Sequence, residues 1–316
     1  MRSYATKRLA MVIPTLFLAS LVVFFLIRFI PGDVIDLMIA EQGPISDLNR
    51  GEIEQVLGLD LPVYTQYVHW LGGAIRGDLG TSLWSESSIS DDILARLPVT
   101  FELGILALAI ALIVALPVGI YSAMRQDTIG DYLGRSFAIL SLAVPNFWIA
   151  TMIIVFPSIW WGWSPPMTMV AFAEDPMNNL QLFIIPALVM GTSMSAVTVR
   201  MTRTMVLEVL RQDYIRTAWS KGLRERVVVM RHALKNAMIP VVTIVGLQVP
   251  VLIGGAVIME QIFSLPGIGR LMIDAISRRD YPVVSGVMIF MAIFVLLINL
   301  LVDLTYGYLD PRIKYR

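Results

Sequence analysis

The sequence has no cysteine and only two histidines, His69 and His232. Without cysteine there is no disulfide framework, no thiolate metal site and no cysteine nucleophile. Two histidines are too few for an imidazole-lined metal path, and no metal site is expected. Charge is scarce as well. Asp, Glu, Lys and Arg supply 15% of the 316 residues, whereas soluble domains carry about 25%. A phosphate-gripping loop of the form Gly-x-x-x-x-Gly-Lys-Ser/Thr is also missing. Lys221-Gly222 lacks the preceding glycine frame, so the chain is expected to have no ATPase site of its own. No cluster of metal ligands and no nucleophile–base pair stands out, which argues against an intramembrane enzyme.

What the sequence has in excess is apolar residues, 57% of the chain, with a mean hydropathy of +0.73. They fall in uncharged runs at 9–27, 103–124, 136–173, 176–199, 236–259 and 281–302. A helix needs roughly 20 apolar residues to cross a bilayer core of about 30 Å. Five of the runs fit one span each, but 136–173 holds 38 residues and is interrupted by Pro157, Gly162, Pro165 and Pro166. One helix ending near Pro157 is expected there, followed by an interfacial segment with Trp160, Trp161 and Trp163, because tryptophan favours the headgroup level. The fold class is therefore all-α integral membrane, with six transmembrane helices. The first run, preceded by Arg2, Lys7 and Arg8, has some outline of a signal peptide. It is longer than a signal core of about 7–15 residues, and no small-residue cleavage site follows it.

Basic and acidic residues balance at 24 each, but they are segregated along the chain. Segment 31–98 has eleven acidic and three basic residues, and 158–180 has Glu174 and Asp175 with no base. Segment 200–235 has nine basic and three acidic residues. Arg2, Lys7 and Arg8 open the chain, Arg125 and Arg135 flank a short connection, and Arg312, Lys314 and Arg316 close it. Basic connections stay cytoplasmic, so both termini are expected inside. One connection resists this rule: 260–280 should lie outside yet holds Arg270, Arg278 and Arg279, offset by Glu260, Asp274 and Asp280. Three units follow. Residues 1–30 form a cytoplasmic tip and the first span. Residues 31–98 form an extracytoplasmic segment with short helices, expected around 47–57 and 62–75. Residues 99–316 form a five-helix core carrying the cytoplasmic loop 200–235. The acidic excess of 31–98 fits either a receiver of cationic cargo or the solvated face of a cap.

The loop 200–235 is the most informative segment. Asp213 suits a helix N-cap and Gly222 a C-terminal stop. After Gly222, the residues Leu223, Val227, Met230 and Leu234 fall at helical spacing on one stripe, with Arg224, Arg231 and Lys235 on another face. Two short amphipathic helices therefore meet at a glycine and are tied to two spans. From the residues alone this is either a basic loop resting on anionic lipid or a helix that docks in a partner's groove.

The segment Asp213-Tyr-Ile-Arg-Thr-Ala-Trp-Ser-Lys-Gly222, followed after nine residues by His232-Ala-Leu-Lys235, resembles the "EAA" loop of ABC-importer permeases. Its likeness is to the dipeptide/oligopeptide/nickel branch. In the general pattern Glu-Ala-Ala is followed by three residues, Gly, nine residues and Ile-x-Leu-Pro. Here Arg216-Thr217-Ala218 stands for the first triplet and Gly222 matches, while His232, Leu234 and Lys235 replace Ile, Leu and Pro, as is typical of the peptide branch. The stretches 28–33, 57–70, 77–82, 262–270, 279–284, 299–303 and 310–314 are similar to that family too, so the resemblance spans nearly the whole chain.

The resemblance implies a type I ABC importer permease in a prokaryotic inner membrane, importing peptides, with nickel or glutathione as alternative cargo in the same branch. It implies a second homologous permease subunit, two ATPase subunits that carry ATP and Mg2+, and an extracytoplasmic solute-binding protein. The chain itself would bind no cofactor, touch membrane lipid and have no nucleic-acid partner. Asp213, Tyr214, Arg216, Thr217, Ala218, Lys221, Gly222, Leu223, Arg224, Glu225 and His232 would form the ATPase-coupling segment. Polar and helix-loosening residues of the spans usually face an interior or a cavity, and on that ground Gln248, Gly254, Gly255 and Glu260 are expected along the translocation pathway. Phe263, Pro266 and Gly267 are expected at an outer gate. An independent secondary transporter is the competing reading. It calls for titratable groups within the spans, whereas Glu102 and Asp303 sit at span ends.

Overall fold

The structure is a computed structural model that describes residues 2–28, 60–166 and 168–309. The short helix expected around 47–57 and the basic tail at 312–316 lie outside the described residues. Among the described residues there are ten helices: α1 (Arg2–Arg28), α2 (Val63–Ile75), α3 (Ile89–Met124), α4 (Ile129–Ala143), α5 (Asn146–Trp161), α6 (Pro176–Leu210), α7 (Asp213–Ser220), α8 (Glu225–Ile262), α9 (Ile268–Ser277) and α10 (Tyr281–Leu309). α8 is continuous but π-helical across Val228–Ala233. Helices α1, α3, α6, α8 and α10 are each long and apolar enough to cross a membrane. α3 and α6 have 36 and 35 residues, about 50 Å at 1.5 Å per residue. Both therefore project beyond a hydrocarbon core of about 30 Å.

The remaining span differs from expectation. It does not end at Pro157, which lies inside α5. The break comes at Val144-Pro145, where α4 and α5 meet at an 88° bend. Proline pushes the residue before it out of the helical region, and Val144 is extended at φ −99° and ψ 124°. α5 then stops at Gly162, whose φ of 63° is left-handed. Gly162 N–H donates to Ser158 O and Trp163 N–H to Pro157 O, a pair of bonds that closes the helix end.

The close contact of α3 with α6 explains how the bent pair runs. On α3 the buried Ala107, Ala111, Ala115, Gly119 and Ala123 recur every fourth residue. On α6 the buried Phe183, Ala187, Gly191, Ser195 and Val199 do the same. A Cβ on Gly119 would lie 2.7 Å from Thr202 Cβ, and one on Gly191 would lie 2.7 Å from Ala107 O. In lipid no water-driven force joins helices, so small residues that let backbones approach supply the contact. Early residues of α3 meet early residues of α6, so the two run parallel. The chain between them must recross the membrane. α4 packs its Asp131 against Arg203 near the end of α6, and α5 packs Ala150 into the same cluster as Leu182 and Phe183 near its start. The bent pair is therefore the third of six crossings.

Directions then alternate throughout. α8 runs against α3, with Leu252 opposite Gly104 and Glu260 opposite Thr100. α1 runs against α10, joined by Arg8–Asp303 at 3.0 Å and by Val23 packed with Val283, Val284 and Val287. On the side away from 200–235, α2 leans on α1 through Tyr67 Oη and Ser20 Oγ at 2.8 Å, through an edge-to-face contact of Phe24 with Tyr67 and through a tilted contact of Phe24 with Trp70. The loop before α3 is fastened to the α9–α10 corner. Ser82 Oγ donates to Asp280 Oδ2 at 2.6 Å, and Trp84 Nε1 donates to Arg278 O at 3.0 Å. Arg270, one of the bases that resist the charge rule, turns its guanidinium onto Ser264 O at 2.7 Å.

Candidate functional site

The loop 200–235 forms an elbow at the end of the membrane bundle. α6 continues straight through Arg200 and Arg203 to Leu210, the chain turns, and α7 begins. Asp213 is the first residue of α7 rather than its cap, a position held by Gln212. Its carboxylate, in the first turn, meets Arg216 at 3.4 Å with both side chains well exposed, an arrangement that contributes little stability. Gly222 ends the helix as expected. Its φ is +72°, and a Cβ there would meet nothing within 4 Å. The turn therefore uses glycine for its backbone angle rather than for space.

The inside of the elbow is a small core of Ile215, Ala218, Val228 and Ala233, backed by Val209 and Leu210. Asn236 Nδ2 donates to Tyr214 Oη at 2.8 Å and closes α7 onto α8. The apolar stripe expected from helical spacing is exposed at three of its four positions, and Leu234 is half-buried. Leu223, Val227 and Met230 are exposed, at 36%, 38% and 60%, while Val228 and Val229 are buried. The π-helical turn at Val228–Ala233 is wider than an α turn, and Leu234 beyond it packs against Ala123, Val206 and Ala237. Tyr214 and Trp219 are exposed as well, and Trp219 carried no weight in the sequence reading. Arg216, Thr217, Lys221 and Arg224 face solvent, Glu225 and His232 are half-buried, and Ala218 packs inside the elbow.

Three joints tie the elbow to the spans. Glu225 reaches Arg125 at the end of α3, 3.6 Å away. Ala123, Val206 and Ala237 pack together from α3, α6 and α8. The third joint is Asp131, fully buried, which accepts Arg203 Nε at 2.8 Å and Nη2 at 2.7 Å. Asp127 N–H adds a bond to Asp131 Oδ2 at 3.1 Å. A bidentate guanidinium–carboxylate pair fixes angle as well as distance, so α4 and α6 are locked here. The pair lies 72 residues apart in sequence. The sequence signal is two acids, Asp127 and Asp131, in a short connection flanked by Arg125 and Arg135, and it does not say which of them is buried.

The residues expected along the pathway are not all brought together. Gln248 Nε2 donates to Thr198 Oγ1 at 2.9 Å and bridges α8 to α6. Gly254 lies on the surface, and a Cβ on Gly255 would lie 3.4 Å from Met190 Cε. Phe263 is 3% exposed in the bundle core, and Pro266 is half-buried. Glu260 and Gly267 meet directly, and Glu260 is 0% exposed. In the outer half of α8, Leu247, Val251, Gly254, Ile258 and Gln261 are exposed and form one continuous stripe. Beside Glu260, an apolar cavity of about 230 Å³ opens between α3, α8 and α10, lined by Thr100, Phe101, Gly104, Leu252, Phe290 and Phe294.

Comparison with known proteins gives consistent matches over the full length. Residues 115–315 match the model of the binding-protein-dependent transport system inner membrane component, and residues 1–104 match its N-terminal companion. The chain is 40% identical over 339 residues to the dipeptide transport system permease protein DppB of Escherichia coli K12, with 100% of both chains covered. It is 39% identical over 336 residues to the di/tripeptide transport system permease protein DppB of Pseudomonas aeruginosa UCBPP-PA14, again with 100% of both covered. Among solved structures, a crystal structure of an amino acid ABC transporter with histidines shares the fold. The TM-score is 0.55 at 14% identity, covering 69% of this chain and 94% of that one.

Proposed function

The chain belongs to the family of binding-protein-dependent transport system inner membrane components, and from that premise we propose how its geometry serves import. It is a multi-pass permease subunit of a peptide ABC importer in a bacterial inner membrane. Such a subunit works with ATPase and binding-protein partners. In our reading two ATPase subunits hold the ATP and Mg2+, a second related permease completes the channel, and the binding protein docks on the side of α2 and α9. The basic elbow faces the cytoplasm, as the charge distribution directs, and both termini lie with it.

The observation that carries this reading is the elbow itself. Its own core holds α7 rigid against α8, while Tyr214, Trp219, Leu223, Val227 and Met230 remain exposed. Exposed tyrosine and tryptophan beside arginines are the composition of a docking surface. A groove that closes around α7 would move α6 and α8 together, because the elbow is continuous with one and joined to the other. Gln248, Gly254 and the exposed stripe of α8 then border the passage. The test is reconstitution. The chain with ATPases and binding protein should import peptide into liposomes in proportion to ATP hydrolysed, and the chain alone should import none. Uptake by the ATPase-free chain would overturn the reading in favour of a secondary transporter.

A further inference from the structure

The side chain of Glu260 is fully buried at the far end of α8, and both its oxygens accept hydrogen bonds. Oε1 accepts from Thr100 Oγ1 at 2.7 Å, and Oε2 accepts from Arg270 N–H at 3.0 Å. Thr100 Oγ1 in turn accepts from Ile268 N–H at 2.9 Å. The backbone completes the knot, with Leu265 N–H donating to Glu260 O at 2.9 Å. One carboxylate thus joins the end of α8, the outer half of α3 and the first turn of α9.

The surrounding residues are shaped to it. A Cβ on Gly267 would collide with the Glu260 carboxyl, and a Cβ on Gly269 would lie 2.5 Å from Val257 Cα and 2.9 Å from Glu260 Oε2. Gly267 has ordinary extended backbone at φ −95°, so glycine is needed there for room and not for its dihedral freedom. Among the described residues no guanidinium lies within salt-bridge distance of the carboxylate: that of Arg270 turns to Ser264 O and toward Asp274, 3.9 Å away.

α8 is a single helix of 38 residues from Glu225 at the elbow to Ile262 beside this knot, about 57 Å at 1.5 Å per residue. We propose that Glu260 is the positioning residue that locks α9 to α8 and α3, so that displacement of α8 at the elbow is delivered to α9 on the opposite side of the membrane. This rests on the coupling role given to the elbow above. α9 is fastened at its other end through Asp280 to Ser82, so the delivered motion also reaches the loop before α3.

The test uses the complete importer in proteoliposomes, with basal ATP hydrolysis, its stimulation by peptide-loaded binding protein, and peptide uptake read separately. Glu260→Gln keeps the shape but turns one acceptor into a donor. Thr100→Val removes the relay and leaves the carboxylate and its bond from Arg270, and it decides the matter if Glu260→Gln does not accumulate. Thr100→Ser restores the hydroxyl. Glu260→Gln and Thr100→Val should assemble and keep basal hydrolysis within about twofold. Stimulation and uptake should fall about tenfold or more, the scale of one lost hydrogen bond to a charged acceptor. Thr100→Ser should recover both. Wild-type stimulation and uptake in Glu260→Gln and Thr100→Val would overturn the proposal, as would a loss shared equally by basal hydrolysis and stimulation. A wild-type complex that hydrolyses ATP without importing peptide would instead sink the functional reading on which the proposal rests.

Discussion

Replacing Gly222 tests the elbow through a single dihedral angle. Its φ of +72° lies in the left-handed region, and no atom stands within 4 Å of where a Cβ would be. Steric collision inside the chain therefore contributes nothing. What remains is the conformational cost of a left-handed L-residue, about 1–2 kcal/mol. That is a factor of about 5–30 in the population of the bent elbow. Gly222→Ala should show this factor, Gly222→Val should exceed it because a β-branched side chain tolerates positive φ least, and Gly222→Asn should show less because asparagine visits that region. The assay is the ratio of peptide imported to ATP hydrolysed in proteoliposomes. That ratio should fall in the order Asn, Ala, Val, with Val lowest. Equal damage from all three would refute the dihedral argument and point to the added bulk at a docking surface. An unchanged ratio in Gly222→Val would refute the role of the bend.

Two further substitutions probe the bundle that the elbow moves. Arg203→Ala strands the buried carboxylate of Asp131 and should cost about 3–5 kcal/mol, read as a lowered midpoint of thermal unfolding of the purified subunit. The double change Asp131→Leu with Arg203→Met, which removes both charges, should cost less than the single one. Gly119→Leu forces atoms into Thr202 and the carbonyl of Val199 and should destabilise by at least about 1–3 kcal/mol. Gly254→Ala, where a Cβ meets nothing within 4 Å, should leave the midpoint unchanged.

The spans were readable because a run of uncharged residues is a compositional fact, and lipid admits few other structures. The bend at Val144-Pro145 was not readable. Pro157 and Gly162 offered competing breaks, and only the packing of Asp131 on Arg203 and Ala150 on Phe183 selects between them. The elbow is legible in its glycine and its spacing, and three positions of its apolar stripe, Leu223, Val227 and Met230, are exposed, while the residues that form its inner core are not legible. The π-helical turn at Val228–Ala233 is not legible either, because nothing in those residues announces it. Glu260 drew attention as a carboxylate inside a span. Its partner Thr100 is 160 residues away, so periodicity could not show that its hydrogen bonds are used within the chain. The small-residue repeats of α3 and α6 were present in the sequence at a spacing of four, and they are the signal that would have paired those helices directly.

The most direct measurement exploits the absence of cysteine. Single cysteines at Trp219, Leu223 and Met230 place thiols on the exposed face of the elbow, and one at Ser277, exposed on α9, serves as the opposite-side control. In membranes holding the assembled importer, the elbow thiols should crosslink to the ATPase subunit with a yield that changes when ATP is added. The thiol at 277 should instead react with a membrane-impermeant reagent from outside. An elbow that labels from outside, or that never crosslinks to the ATPase while the thiol at 277 does, would contradict the account.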